Sequence, residues 1–160
     1  MTIKVGDTLP ETTFMVPTPD GPAPKTTAEI FAGKKVALFA VPGAYTPTCS
    51  ARHLPSYKDK AADLAAKGVD TIACLSVNDA FVLGAWAKDN GVTDDIVMLA
   101  DGSGVFAKAI GLEMDASKFG MGMRSQRFSL VADNGVVTHL FVEAPAEYKV
   151  SGAEYMLEHM

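Results

Sequence analysis

Cysteine is scarce: the 160 residues contain two, Cys49 and Cys74. That is too few for a disulfide scaffold or a structural zinc site. The three histidines (His53, His139 and His159) stand apart, and no His-x-x-x-His or Cys-x-x-Cys pair occurs. Gly-x-Gly-x-x-Gly and the phosphate-loop Gly-Lys-Ser/Thr pattern are also missing, so nucleotide chemistry has no anchor. The expectation is a protein without metal or cofactor. Positive charge is in deficit, with 14 Lys and Arg against 19 Asp and Glu and a net charge of −5, and no basic stripe runs along the chain. That balance excludes a nucleic-acid partner. No apolar run is long enough to cross a membrane. The opening MTIKVGDTLPETTF lacks the apolar core and cleavage site of a signal peptide. A soluble, cytoplasmic protein is expected.

What is present reads as one domain over 1–160. Apolar residues make up 48% and charged residues 21%, an ordinary globular balance for a chain long enough to bury a core. KKVALFAV (34–41), VDTIACLSV (69–77) and DIVMLA (95–100) are short β-rich apolar runs, predicted as strands buried on both faces. Between them, 50–68 keeps helical spacing through Leu54, Tyr57, Ala61 and Leu64, with Gly68 as a stop and Pro55 kinking its first turns. AFVLGAWAKDN is a second helix, capped by Asn78 or Asp79, with Phe81, Leu83 and Trp86 in the core. VFAKAIG (105–111) is a short third. RFSLVAD and VVTHLFVE flank Asn134-Gly135, a two-residue hairpin signal. SGAEYMLEHM is a last helix with Ser151 as its cap, and TPDGPAPK (18–25) reads as a Pro-rich loop. The order predicts an α/β fold, a central mixed β-sheet flanked by helices.

One stretch asks for chemistry. PGAYTPTC (42–49) joins the end of a buried strand to the start of a helix, where ligand sites of open α/β sheets form. Unpaired N–H groups and the positive end of the helix dipole favour an anion there, and a thiolate is the nucleophilic form of cysteine. Thr46 can reach back with a hydroxyl that donates and accepts. Pro42 and Pro47 stiffen the loop and bring no N–H of their own. The alternative is a small buried cysteine behind a turn. His53 shares the helix face of Cys49, so a Cys–His nucleophile pair is a further option. No residue is identified to orient that histidine or to bind an oxyanion.

Pro42-x-x-x-Thr46-x-x-Cys49 matches the active-site motif of the peroxiredoxins, and VPGAYTPTCSARHLP, ACLSVNDAFV and RSQRFSLV together resemble the type V (type II, peroxiredoxin-5) subfamily over nearly the whole chain. The resemblance implies a thioredoxin-like fold with peroxiredoxin insertions and a thiol-dependent peroxidase reducing hydrogen peroxide and organic hydroperoxides. It gives Cys49 the peroxidatic role, with Thr46, Pro42 and Arg127 as its catalytic companions, His53 and Gly43 as pocket residues, and a homodimer as the assembly. Arg127 suits a site where charge passes from sulfur to a leaving oxygen, because it stays charged and presents fixed donors. Arg124, three positions away, faces the opposite side if the strand is regular and is retained as a supporting residue. Phe119, Met121 and Met123 are candidates for the pocket wall or a dimer contact.

Cys74 lies within an apolar strand run, where a cysteine is buried and inert. The tail EYKVSGAEYMLEHM has no cysteine to act as the resolving thiol that some family members carry there. This departure points to a one-cysteine cycle closed by an external thiol, glutathione with glutaredoxin or else thioredoxin. A Cys49–Cys74 bridge is the alternative. A dithiol reductase would need cysteine where Thr46 stands. A non-catalytic redox-sensing or holdase chaperone role stays open on the same fold.

Overall fold

Strand β3 (Lys35–Val41) is the axis of the structure, and every residue from Val36 to Val41 is buried. Its side chains alternate between two cores. Ala37, Phe39 and Val41 enter one with Leu54, Tyr57, Leu64 and Trp86; Val36, Leu38 and Ala40 enter the other with Phe14, Phe31 and Phe106. A strand buried on both faces reads as an unbroken apolar run for this reason. Each Val, Leu or Phe side chain removed from water there contributes about 1.5–3 kcal/mol.

The computed structural model describes residues 2–160. Around β3 lie β1 (Thr13–Val16), β2 (Ala23–Thr26), β4 (Thr71–Ser76), β5 (Val97–Ala100), β8 (Phe128–Asp133) and β9 (Val136–Val142), in the order β2-β1-β5-β4-β3-β8-β9. β3, β4 and β5 run parallel, while β8 and β9 continue the sheet antiparallel on the other side of β3. A two-stranded sheet of β6 (Glu113–Asp115) and β7 (Met123–Ser125) stands apart from it. Helices α1 (Thr27–Phe31), α2 (Leu54–Asp59), α3 (Ala61–Ala66), α4 (Ala80–Asp89), α5 (Val105–Ala109) and α6 (Ala153–His159) supply the covering layers. No helix among the described residues is long and apolar enough to cross a membrane.

The predicted strands, α4, α5 and the Asn134-Gly135 hairpin are all present, with Asn134 at φ 51° and Gly135 at φ 80°. Asp79 caps α4 by accepting from the Val82 N–H at 2.8 Å. Four readings need correction. TPDGPAPK is not a loop throughout: Ala23–Thr26 forms β2, and Pro24 is tolerated because β2 is an edge strand that needs no donor on its free side. Phe81 is not core but 74% exposed, whereas Leu83 and Trp86 are buried. The cap of α6 is Gly152, because the Ser151 hydroxyl is taken by Glu143. The helix expected over 50–68 is a π-helical turn (Cys49–His53) followed by α2 and α3, which are separated at Lys60.

Candidate active site

Pro55 explains that π-turn. It has no N–H for the Ala51 carbonyl, and its ring would press on that oxygen in a regular helix. The wider turn relieves this, and Leu54 donates to the Cys49 carbonyl five residues back. Helical geometry begins at Pro47, whose fixed φ suits a first position, and the Ser50 N–H donates to the Thr46 carbonyl at 3.0 Å. Cys49 and His53 are thereby both turned inward and fully buried.

The loop before the helix is held from the β4–α4 turn and from the end of α4. The Ala44 N–H donates to Asn78 Oδ1 at 3.0 Å, and the Tyr45 hydroxyl donates to Asp89 Oδ2 at 2.7 Å. Tyr45 takes φ 66°, a left-handed conformation that costs a non-glycine residue on the order of 1 kcal/mol or more. These two bonds keep it there. Gly43 is packed from outside: a Cβ on it would lie 3.2 Å from Arg124 Nη1 and from the Met121 methyl, and 3.3 Å from the Thr46 methyl.

Two donors converge on sulfur. Thr46 Oγ1 lies 2.8 Å from Cys49 Sγ and 2.7 Å from the Gly43 carbonyl, and Arg127 Nη2 lies 3.0 Å from Sγ. A hydroxyl has one proton, so Thr46 can donate to Gly43 while accepting S–H from a thiol, or turn that proton to a thiolate. Arg127 keeps its positive charge beside sulfur in either case. Its other nitrogen, Nη1, donates to His53 Nδ1 at 2.8 Å, and His53 Nε2 donates to the Ser151 carbonyl at 3.0 Å. The imidazole is therefore the neutral Nε2–H tautomer. Burial and then the Arg127 charge push its pKa down to about 3, against a smaller opposing effect of the Ser151 carbonyl. Both ring nitrogens of His53 are engaged elsewhere, with Arg127 and with the Ser151 carbonyl, so neither serves as a base for the Cys49 thiol.

Arg124 is a further correction. It belongs to β7, paired with β6, and not to the strand that begins at Phe128, so alternation along one strand does not relate it to Arg127. It donates from Nε to the Met121 carbonyl at 2.9 Å and covers Gly43. All seven residues singled out from the sequence thus meet around one loop. A cavity of about 550 Å³ opens beside them, lined in part by Pro42, Thr48, Arg127, Met114, Phe119 and Pro145. Phe119 is 76% exposed at this rim. Glu143, Ser151 and Tyr57 were not legible as site residues, since they join it only through contacts distant in sequence. No group of three or more metal-ligating side chains occurs among the described residues.

The redoxin family profile matches residues 4–157. The chain belongs to the redoxin family, as a peroxiredoxin. Peroxiredoxin-2E-2, chloroplastic, of Oryza sativa subsp. japonica is 51% identical over 98% of this chain and 72% of its own length. The reduced Prx3 of Vibrio vulnificus, solved in complex with hydrogen peroxide, is 54% identical and superposes with a TM-score of 0.94 over 99% of both chains. Peroxiredoxin 5 of Alvinella pompejana is 34% identical with a TM-score of 0.85, over 98% of this chain and 96% of that one. The fold is thus the thioredoxin-like peroxiredoxin fold, and the protein is a thiol-dependent peroxidase.

The depressed His53 pKa makes acid stability measurable. A base whose folded pKa lies below its unfolded value of about 6.5 stabilises the fold fully above 6.5, and that stability is lost as pH falls through 6.5 toward 3. Between pH 6.5 and 5.5, where most carboxylates stay ionised, unfolding free energy is expected to drop by about 1 kcal/mol. Urea titrations at three pH values would measure the slope. His53→Gln should flatten it, and an equal slope in that variant would assign it to other groups.

Proposed function

We propose that Cys49 is the peroxidatic cysteine and that the cycle uses this one thiol. What carries the reading is the pair of donors on Sγ, Thr46 at 2.8 Å and Arg127 at 3.0 Å, where the loop after β3 enters the π-helical turn Cys49–His53. The Cys49 thiolate attacks one peroxide oxygen, the S–O bond forms and the O–O bond breaks. The second oxygen leaves as hydroxide or alkoxide and takes up a proton to become water or alcohol, while Cys49 becomes a sulfenic acid. Negative charge moves from sulfur to the leaving oxygen, so donors already aimed at sulfur have a short path to follow it. Pro42 and Gly43 form the loop wall, Arg124 packs on Gly43, and His53 holds Arg127.

Hydrogen peroxide and organic hydroperoxides are the proposed substrates. The complex of the Vibrio relative with hydrogen peroxide supports the first, and the apolar side chains of Met114, Phe119 and Pro145 in the cavity suit the carbon chain of the second. Type V is the proposed subfamily, on the likeness to peroxiredoxin 5. An external thiol, glutathione with glutaredoxin or else thioredoxin, attacks the sulfenic sulfur with loss of water, and a second thiol then releases Cys49. Supporting this cycle, both cysteines are free and Cys74 is fully buried in β4. Burial pushes its thiol well up, and nearby Cys49 adds to this, against a smaller opposing pull from Arg127, which leaves Cys74 protonated and inert. We also read 1–160 as a single domain, the location as cytoplasmic and the assembly as a homodimer. Phe81, Val105 and Met15, exposed around a second surface cavity, are apolar enough to be covered by another subunit.

The test is sulfenic-acid trapping after one equivalent of peroxide, with mass spectrometry locating the label. Label on Cys49 with Cys74 still a free thiol is expected. An intramolecular 49–74 disulfide would refute the one-cysteine cycle while leaving the peroxidase intact.

A further inference from the structure

Glu143 follows β9 and is buried, with 6% of its surface exposed. It forms no salt bridge among the described residues. Its carboxylate is instead turned on a stretch of backbone. Oε2 accepts from the N–H of Val150 at 2.9 Å, from the N–H of Ser151 at 2.8 Å and from the Ser151 hydroxyl at 2.7 Å. The Lys149 N–H is shared between both oxygens at 2.9 and 2.8 Å. A buried anion without a counter-ion is tolerated only when its lone pairs are met in this way. Burial pushes its carboxyl up, but the bonds from Ser151, Val150 and Lys149 together outweigh that and leave it below its ordinary value.

The stretch so gripped ends on the Ser151 carbonyl, which accepts from His53 Nε2 at 3.0 Å and from the Tyr57 hydroxyl at 2.8 Å. His53 in turn accepts from Arg127, and Arg127 donates to Cys49. The Glu143 N–H also donates to the Arg127 carbonyl at 3.0 Å. One residue therefore reaches Arg127 from both ends, at its main chain directly and at its guanidinium through Ser151 and His53. We propose that Glu143 is a positioning residue of the peroxidase: by holding the Ser151 carbonyl it selects the Nε2–H tautomer of His53, which aims Arg127 at Cys49. Without that carbonyl the Nε2–H loses its buried acceptor, and Arg127 alone is left to favour this tautomer and hold the ring in place. The other tautomer presents an N–H to the Arg127 N–H, and the two donors repel.

The inference rests on the assignment of Cys49 above, and its sign separates it from a simple charge effect. Removing an anion near sulfur would favour thiolate and shift Cys49 alkylation by iodoacetamide to lower pH. Loss of positioning does the reverse. In Glu143→Ala the alkylation profile is expected to move to higher pH and the second-order rate with hydrogen peroxide to fall about tenfold, the lower end of the loss seen when a partner orienting a metal-ligating histidine is removed. Glu143→Gln keeps an oxygen for the same N–H groups and should recover most of both. Glu143→Asp keeps the charge but shortens the reach and should again slow the reaction, which decides the matter if the alanine variant does not fold. Thr26→Ala, which removes the capping box of α1 far from the site, lowers the melting temperature without moving the alkylation profile. An unshifted or acid-shifted profile in folded Glu143→Ala or Glu143→Asp overturns the proposal. Failure of wild-type Cys49 to be oxidised by peroxide would overturn the Cys49 assignment itself.

Discussion

Cys49→Ser is expected to abolish peroxide consumption, with a loss on the order of 10⁴-fold or more, as when other enzymes lose their nucleophile. The serine hydroxyl would sit between the same two donors, Thr46 and Arg127. It would remain protonated at neutral pH and so would lack the polarisable anion that attacks the O–O bond. Cys74→Ala should behave oppositely and retain the wild-type rate. Cys74 pairs with Phe39 across β3 and β4 and is packed in the core, so its loss leaves a small cavity and costs stability, not turnover. The pair of variants, assayed with hydrogen peroxide and an excess of reducing thiol, separates the roles of the two sulfurs. Consumption that persists in Cys49→Ser would overturn the assignment of Cys49 as the peroxidatic residue.

Arg127→Ala is expected to lower the rate constant for peroxide reduction by about 10²- to 10³-fold, the usual loss when a preorganised donor to developing charge is removed. Arg127→Lys should recover little. The native side chain uses two nitrogens in a fixed plane, Nη2 on Sγ and Nη1 on His53 Nδ1. An ammonium on a flexible stem cannot reproduce that geometry. The same variant has a second readout. Removing the Arg127 charge takes away one of the two influences that depress His53, so its titration should move upward while burial still holds it below the ordinary value. Observation of the imidazole by NMR across pH 3–7 would test this apart from kinetics. A full rate with an unchanged His53 titration in Arg127→Ala would contradict the arrangement.

Much of the fold was legible because its elements follow local rules. β3 reads as a strand because a double-faced burial leaves no polar alternation. Asp79 and Asn134-Gly135 read as a cap and a turn because their side chains or backbone freedom act within a few residues. The misreadings share a different cause. Pro24 suggested a loop, since the position of β2 at the sheet edge is a property of the whole sheet. Phe81 kept helical spacing with the core but faces outward, because spacing does not say which part of an apolar stripe a neighbour covers.

The candidate site divides in the same way. Local chemistry alone places a scarce thiol after a buried strand, behind Pro42 and Thr46, at the start of a helix that Pro55 must distort. Those are relations over a few bonds, settled by φ restriction, hydrogen-bonding capacity and helical geometry. What faces the sulfur is set instead by contacts between distant parts of the chain. Antiparallel pairing sets Phe128 opposite Ala40, so the residue before it, Arg127, meets the loop that leaves β3, 78 positions from Cys49. The same pairing of β8 with β9 brings Glu143 to the Arg127 carbonyl, and the chain beyond β9 returns Ser151 to His53. Sheet register carries these contacts, and register depends on the packing of the entire core and not on any local pattern.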